Sequence, residues 1–177
     1  MSVHRGRPAT GYARNLILAV VPAIAVTLAL AAFLMRTPAA PQASFVTLTG
    51  EKITIAGLKG KVVLVNFWAT DCPICIKEMP DMVRTYDRFR GNGLEFIAVA
   101  MRHDPPNYVI RFVENNRLPF KVALDPLGEH ARAFDGVSLT PTTFVIDKRG
   151  DIVLRITGEP DFAHLNQLLE EKLAEKA

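Results

Sequence analysis

The sequence predicts an α/β fold with a mixed β-sheet that helices cover on both faces. Dense apolar runs at 61–68 and 94–101 are too continuous for strands with one solvated face, so each indicates a strand buried on both sides. Apolar residues then recur at helical spacing over 73–90 and over 108–116. Strands that alternate with helices in this way imply parallel pairing.

The flanking segments extend this sheet and cover it. The remaining predicted elements, in chain order, are a hairpin of 45–48 and 53–55 with Gly50 in its turn, a short strand at 120–124, a helical turn or two at 127–134, a second hairpin of 142–146 and 151–156, and an amphipathic helix at 161–176. The second hairpin adds an antiparallel edge to the sheet, which makes the predicted sheet mixed.

An apolar segment precedes this domain. Residues 16–35 form a run of twenty residues without a charge, and at about 1.5 Å per residue such a helix spans a bilayer core of about 30 Å. Three arginines precede the run, so the positive-inside rule places the N-terminus in the cytoplasm. The predicted organisation is a basic cytoplasmic flank (1–15), a transmembrane anchor (16–35), a linker (36–44) and a globular domain (45–177). A cleaved signal peptide is the alternative, although the run is longer than usual and its A-x-A-like site is poor.

The basic character of the chain belongs to this amino-terminal segment. The whole chain has 21 Lys and Arg against 18 Asp and Glu, a formal charge of +3. Residues 1–36 hold four arginines and no acid, which leaves 17 basic and 18 acidic residues in 37–177. A nearly neutral domain lacks the footprint of a nucleic-acid-binding protein, so we expect no nucleic-acid partner.

The only cysteines, Cys72 and Cys75, form a CxxC pair where the first buried strand ends and a helix begins. A helix N-terminus offers unpaired N–H groups and the positive end of the helix dipole, which stabilise a thiolate. Pro73 suits the first helical turn because its missing N–H costs nothing there. We therefore expect Cys72 to be the exposed nucleophile and Cys75 the shielded resolving cysteine of a redox-active disulfide.

Other uses of the two cysteines remain open. A structural disulfide is possible, although so short a loop constrains the unfolded chain little. Zinc needs two further ligands at suitable spacing, whereas copper(I) binding has candidate third ligands in Met79, Met82 and Met101. The chain has no dinucleotide-binding fingerprint and no P-loop, so no cofactor and no metal are predicted.

The cysteine segment and two neighbouring motifs resemble a known family. Residues 66–80 (NFWATDCPICIKEMP), with 60–65 (GKVVLV) and 139–147 (LTPTTFVID), are similar to the TlpA/ResA/CcmG-like family of membrane-anchored thioredoxin-fold disulfide reductases. The similarity covers about residues 45–175. It implies a thioredoxin-like mixed sheet with an N-terminal hairpin extension, one transmembrane helix and thiol–disulfide oxidoreductase activity.

The resemblance also implies a location and partners. The protein would be a single-pass protein of the bacterial inner membrane, with its catalytic domain in the periplasm and recharged by a transmembrane electron donor. Its partners would be disulfide-containing client proteins, such as apocytochrome c or the proteins that assemble the copper site of cytochrome oxidase. A copper(I)-binding chaperone and a disulfide oxidant or isomerase are the alternative functions.

The resemblance assigns supporting roles around the cysteines. Thr140-Pro141 matches the family's cis-proline element, which faces the CxxC pair and helps bind an extended substrate strand. Glu78 matches an acid that tunes the protonation of the cysteines, although a solvated helix acid is the alternative interpretation. Trp68 matches an aromatic residue beside the site, and it is equally consistent with a packing residue that ends a core strand.

Two positions depart from related patterns. Thioredoxins have a buried Asp where this chain has Asn66, which cannot act as a general base, so Glu78 becomes the better candidate. The family usually has Trp directly before the first cysteine, where this chain has Asp71. A carboxylate beside a thiolate disfavours the charged form, so we expect Asp71 to make the couple more reducing.

Overall fold

The computed structural model describes residues 26–27 and 37–176. The chain divides into two units, 1–37 and 38–177. In the first, Val26 and Thr27 are helical, and the rest of the predicted anchor lies outside the described residues. No helix within the described part of the chain is long and apolar enough to span a bilayer.

The second unit is built around a five-stranded mixed sheet. A separate antiparallel pair, β1 (Ser44–Val46) and β2 (Lys52–Thr54), precedes it in the chain. The five strands are β3 (Val62–Trp68), β4 (Leu94–Ala100), β5 (Lys121–Leu124), β6 (Thr142–Ile146) and β7 (Ile152–Thr157). Their order in the sheet is β5-β4-β3-β6-β7, with β3, β4 and β5 parallel and β6 and β7 antiparallel to their neighbours. The predicted mixed sheet is confirmed, and β3 lies at its centre.

Four helices connect and follow these strands. They are α1 (Pro73–Phe89), α2 (Pro106–Asn116), α3 (Glu129–Ala133) and α4 (Phe162–Ala174). Helix α2 begins two residues earlier than the sequence pattern predicts, because Pro106 occupies its first position, where proline needs no hydrogen-bond partner. Asp161 is the N-cap of α4, and its carboxylate accepts hydrogen bonds from the N–H groups of Ala163 and His164.

The two faces of the sheet are covered differently. Side chains alternate along β3, so Val63, Val65 and Phe67 enter one apolar core while Leu64 and Trp68 enter the other. The core that contains Trp68 is closed by α1, α2 and α4. The opposite core is closed by α3 together with β1 and β2. Helices therefore lie on both faces, as predicted, but one face relies on a single short helix and a strand pair.

Candidate active site

The cysteine pair lies at the junction between the central strand and the first helix. After β3 ends at Trp68, a three-residue turn leads to Cys72, whose extended backbone (φ −95°, ψ 105°) makes it the N-cap of α1. Pro73 is the first helical residue, as expected. The Cys75 N–H donates to the Cys72 sulfur at 3.2 Å. The helix N-terminus thus directs a backbone donor and its positive dipole end at the Cys72 sulfur.

The two cysteines are joined as a disulfide and differ in exposure. Cys72 is partly exposed, whereas Cys75 has 0% of its surface exposed. An incoming protein can therefore reach the Cys72 sulfur alone. Cys75 is placed to react with a disulfide that already includes Cys72.

The proline element lies beside this junction. The Thr140–Pro141 peptide bond is cis, as the resemblance implied. The antiparallel register pairs Phe67 of β3 with Thr142 of β6, which places Pro141 next to the end of β3 where the turn to the cysteines starts. The Pro141 carbonyl accepts a hydrogen bond from the Gly158 N–H at 2.8 Å, so the element is anchored to the end of β7.

Glu78 is buried on the helix that carries the cysteines. It follows Cys75 by three residues on the same helix face, and only 1% of its surface is exposed. The Asn66 side-chain amide donates to Glu78 Oε1 at 3.1 Å, while Oε2 has no hydrogen-bond partner among the described residues. Burial raises the Glu78 pKa from 4.5 to about 8, and the hydrogen bond from Asn66 opposes this rise. The interpretation of Glu78 as a solvated helix acid is therefore wrong.

Asn66 holds this carboxyl group in place. It is 1% exposed, and besides its bond to Glu78 its amide donates to Thr143 Oγ1 on β6 at 3.0 Å. Sequence reasoning treated Asn66 only as a missing acid and overlooked this donor role. Strand parity could have shown it, because Asn66 alternates with Leu64 and Trp68 toward the face that α1 covers.

Asp71 lies on the solvent side of the cysteines. Its side chain is 72% exposed, and its Oδ1 lies 3.4 Å from Nε2 of His103, which is 51% exposed. His103 follows β4, the parallel neighbour of β3. Strands that run parallel end at the same edge of the sheet, so this proximity follows from topology. The sequence alone does not connect His103 with Asp71, because 32 residues separate them in the chain.

A buried aspartate fixes the turn before the cysteines. Asp104 is 5% exposed and accepts hydrogen bonds from both the N–H and the hydroxyl group of Thr70, each at 2.6 Å. These bonds tie the residues between β3 and Cys72 to the segment that follows β4. The sequence contained the relevant signal, since Asp104 also lies just beyond the carboxyl end of a buried strand.

Trp68 and the methionines belong to the apolar cores. Trp68 is fully buried, and its ring centroid lies 5.2 Å from that of Phe112. Met79 and Met82 share its core with Cys75, whereas Met101 belongs to the core on the opposite face. Trp68 thus packs in the same apolar core as Cys75. Within the described residues, no group of three or more His, Cys, Asp or Glu side chains is arranged to hold a metal ion.

A CxxC disulfide at the N-terminus of a helix, with a cis-proline beside it on a mixed sheet, defines the class of thioredoxin-like thiol–disulfide oxidoreductases. The model of the redoxin family matches residues 36–169. The chain belongs to the redoxin family, and it is a thiol–disulfide oxidoreductase of the ResA/CcmG type.

Proteins that are similar to this chain are named as thiol-disulfide oxidoreductases or thiol:disulfide interchange proteins. The chain is 38% identical over 133 residues to the thiol-disulfide oxidoreductase ResA of Bacillus thuringiensis subsp. konkukian, which covers 75% of each chain. It is also 38% identical over 109 residues to ResA of Bacillus subtilis, covering 62% of this chain and 60% of the relative. A crystal structure of a thiol:disulfide interchange protein from Chlorobium tepidum has 32% identity and a TM-score of 0.71, covering 78% of this chain and 98% of that one.

Proposed function

We propose that the chain reduces disulfides in client proteins outside the cytoplasm. The observation that carries the direction of electron flow is the buried acid behind the disulfide. Cations beside a cysteine stabilise its thiolate and make the couple oxidising, whereas the ionisable residues directly before Cys72 and one helical turn after Cys75 are acids. Asp71 directly precedes Cys72, and a thiolate beside buried Glu78 would compete with ionisation of that carboxyl. Both acids therefore offset the stabilisation of the thiolate by the helix N-terminus and favour a reducing couple.

The reaction proceeds through a mixed disulfide. The Cys72 thiolate attacks one sulfur of a client disulfide, a Cys72–client bond forms, and the other client sulfur leaves as a thiolate. Cys75 then loses its proton and attacks the Cys72 sulfur, which releases the second client thiolate. Two electrons pass to the client, and the protein ends with the Cys72–Cys75 disulfide seen in the structure.

Glu78 receives the proton that Cys75 loses. Cys75 is fully buried, so water has no direct access to its thiol. The Glu78 pKa of about 8 lies close to the ordinary cysteine value of about 8.5, and matched values favour proton exchange between the two groups. Asn66 supports this role because its amide fixes the orientation of the carboxyl group.

Exposed apolar residues flank the site on both sides. Ile74, within the CxxC pair, is 47% exposed, and Leu139, two residues before Pro141, is 64% exposed. We infer that these side chains contact the client while Thr140 and Pro141 align its extended backbone with Cys72. Apolar contact of this kind is usual at the centre of a protein–protein interface.

The sequence supports a membrane-tethered arrangement. Residues 16–35 would anchor the chain in the bacterial inner membrane, 1–15 would lie in the cytoplasm, 36–44 would be the linker, and 45–177 would lie in the periplasm. A transmembrane electron donor would then restore the dithiol. Apocytochrome c and proteins that assemble the copper site of cytochrome oxidase are the proposed clients.

Trapping in cells tests this function. In a Cys75→Ser variant the second step is blocked, so clients accumulate as adducts on Cys72. These adducts should be found in the membrane fraction, and added protease should digest them in spheroplasts. A Cys72→Ser/Cys75→Ser variant is the matched control and forms no adduct. Absence of any Cys72-dependent adduct would contradict the reductase function.

The reduction potential separates reductase from oxidant. We expect a value near that of thioredoxin, about −270 mV, by equilibration with glutathione or dithiothreitol. A value near that of the strong oxidants, about −120 mV, would instead support a disulfide oxidant. Tight one-to-one copper(I) binding without disulfide turnover would support the chaperone.

A further inference from the structure

A cleft of about 480 Å³ opens beside the active site. One wall follows β4 and contains Arg102 and His103, and the other contains Arg132 and Thr140. None of the residues that line it is acidic. The side chains of Arg102 and Arg132 are instead cationic, and that of His103 becomes cationic when it is protonated.

The cleft is continuous with the surface that meets the client. His103, in one wall, lies 3.4 Å from Asp71, the residue directly before Cys72. Thr140, in the other wall, forms the cis peptide bond with Pro141. A client segment that lies along Thr140 with its sulfur at Cys72 therefore passes the mouth of the cleft.

Both arginine side chains of the cleft pass close to Gly128. A Cβ placed on Gly128 would lie 3.3 Å from Arg102 Cδ and 3.3 Å from Arg132 Nη1. Gly128 has φ +67°, which glycine adopts without strain, and its missing side chain leaves room for both arginines. Arg132 also donates to the Leu127 carbonyl at 2.8 Å, which holds its guanidinium in place. The charge of Arg132 is thus positioned before any ligand arrives.

The neighbouring acids do not neutralise these arginines. Asp104 accepts two hydrogen bonds from Thr70, and Asp125 accepts from the N–H groups of His130 and Ala131. Asp135 pairs with Arg155 at 2.6 Å. Among the described residues, no carboxylate lies within ion-pair distance of Arg102 or Arg132. Both remain available to an acidic ligand, and arginine favours carboxylates because its donors form a planar fork.

We propose that this cleft selects clients, by binding an acidic side chain that lies close to the reactive disulfide of the client protein. The proposal rests on the reductase function and names its substrate class: disulfides flanked by Asp or Glu. Asp71 repels a carboxylate placed directly at Cys72, so the acid lies a few residues from the reactive cysteine, where it meets the two arginines. Basic segments are disfavoured by the same charges.

Reduction of matched peptides tests the proposal. The probe is a ten-residue peptide with one internal disulfide, prepared with Glu, Gln or Lys at each of four positions flanking the disulfide. The full chain in neutral detergent is reduced, freed of reductant and mixed with each peptide, and the second-order rate is measured by rapid acid quench. At the best position we expect Glu to react about five times faster than Gln and Lys to react more slowly than Gln, with the difference falling as salt rises.

Charge-removing variants assign the preference to the cleft. In Arg102→Gln/Arg132→Gln, the ratio of the Glu to the Lys rate should fall to nearly 1. The matched control, Arg84→Gln/Arg111→Gln, removes two exposed arginines from α1 and α2 and should keep the ratio of the unmodified chain. Equal rates for Glu, Gln and Lys at all four positions, or a preference that survives in the cleft variant, would overturn the proposal. Failure to reduce any peptide would instead overturn the reductase function, and the substrate class would fall with it.

Discussion

Glu78 and Asp71 are two carboxylates that flank the same disulfide in different surroundings. Glu78 follows Cys75 by three residues and is 1% exposed. Asp71 directly precedes Cys72, and its side chain is 72% exposed. Burial raises the Glu78 pKa to about 8, while water screens the charge of Asp71 and His103 lies beside it. In the proposed mechanism, access of water, rather than closeness to a cysteine along the chain, decides which acid takes part in the chemistry.

The largest expected effect is on the second chemical step. Glu78→Gln keeps the shape of the side chain but cannot accept the Cys75 proton, so the mixed disulfide should resolve about 100-fold more slowly. In the unmodified chain this rate should rise with pH up to about 8, as Glu78 ionises, and the variant should lose that rise. Quenched-flow mass spectrometry of the Cys72–client adduct between pH 6 and 9 measures both.

Asp71→Asn is the matched control for this comparison. It also removes one carboxylate beside the disulfide, yet it should change the rate of resolution less than threefold, because an exposed charge is screened. An equal slowing in both variants, or an unchanged rate and pH profile in Glu78→Gln, would contradict the proton-accepting role of Glu78.

The second effect is on stability. The folded protein retains the Glu78 proton up to about pH 8, whereas the unfolded chain releases it near 4.5. The contribution of Glu78 to the free energy of unfolding is fully present below pH 4.5 and is lost as the pH rises to about 8. Between these two pH values the free energy of unfolding therefore falls by up to about 1.4 kcal/mol per pH unit. Glu78→Gln should flatten this slope in urea unfolding at pH 5 to 9, and an unchanged slope would disprove the raised pKa.

The smallest effect is on the redox couple. Asp71→Asn removes a negative charge beside the Cys72 thiolate, so the reduced state gains stability and the potential becomes less negative. The exposed position limits this interaction to about 1 kcal/mol, or about 20 mV for a two-electron couple. Equilibration with glutathione, followed by thiol labelling, measures the shift. An unchanged or more negative potential would contradict the view that Asp71 makes the protein more reducing.

Much of the fold follows from local patterns. The runs at 61–68 and 94–101 correspond to β3 and β4 because strands buried on both faces exclude polar residues almost completely. Helix α2 starts before its apolar pattern does, since that pattern begins only after the two prolines at the start of the helix. The unequal covering of the two faces was not visible, because no local pattern reports which face of the sheet a connecting segment crosses.

The candidate site also has one part that the sequence predicts and another part that it does not. Cys72, Pro73 and Cys75 are neighbours in the chain, so their geometry follows from a strand, a turn and a helix N-terminus. The hydrogen bond from Asn66 to Glu78 spans 12 residues, and the bond from Thr70 to Asp104 spans 34. Such pairs form only when β3, β4 and α1 are packed together, so sequence spacing alone does not identify them.

The sequence by itself determined the redox pair, its place at the start of a helix and the strand–helix alternation that forms the sheet, because these depend on periodicity and on short-range geometry. Only the tertiary structure decided that Glu78 is buried and Asp71 exposed, and that Arg102, Arg132 and Thr140 line one cleft. Ionisation and charge recognition depend on the dielectric and on the neighbours of each group, which segments distant in the chain supply when they pack.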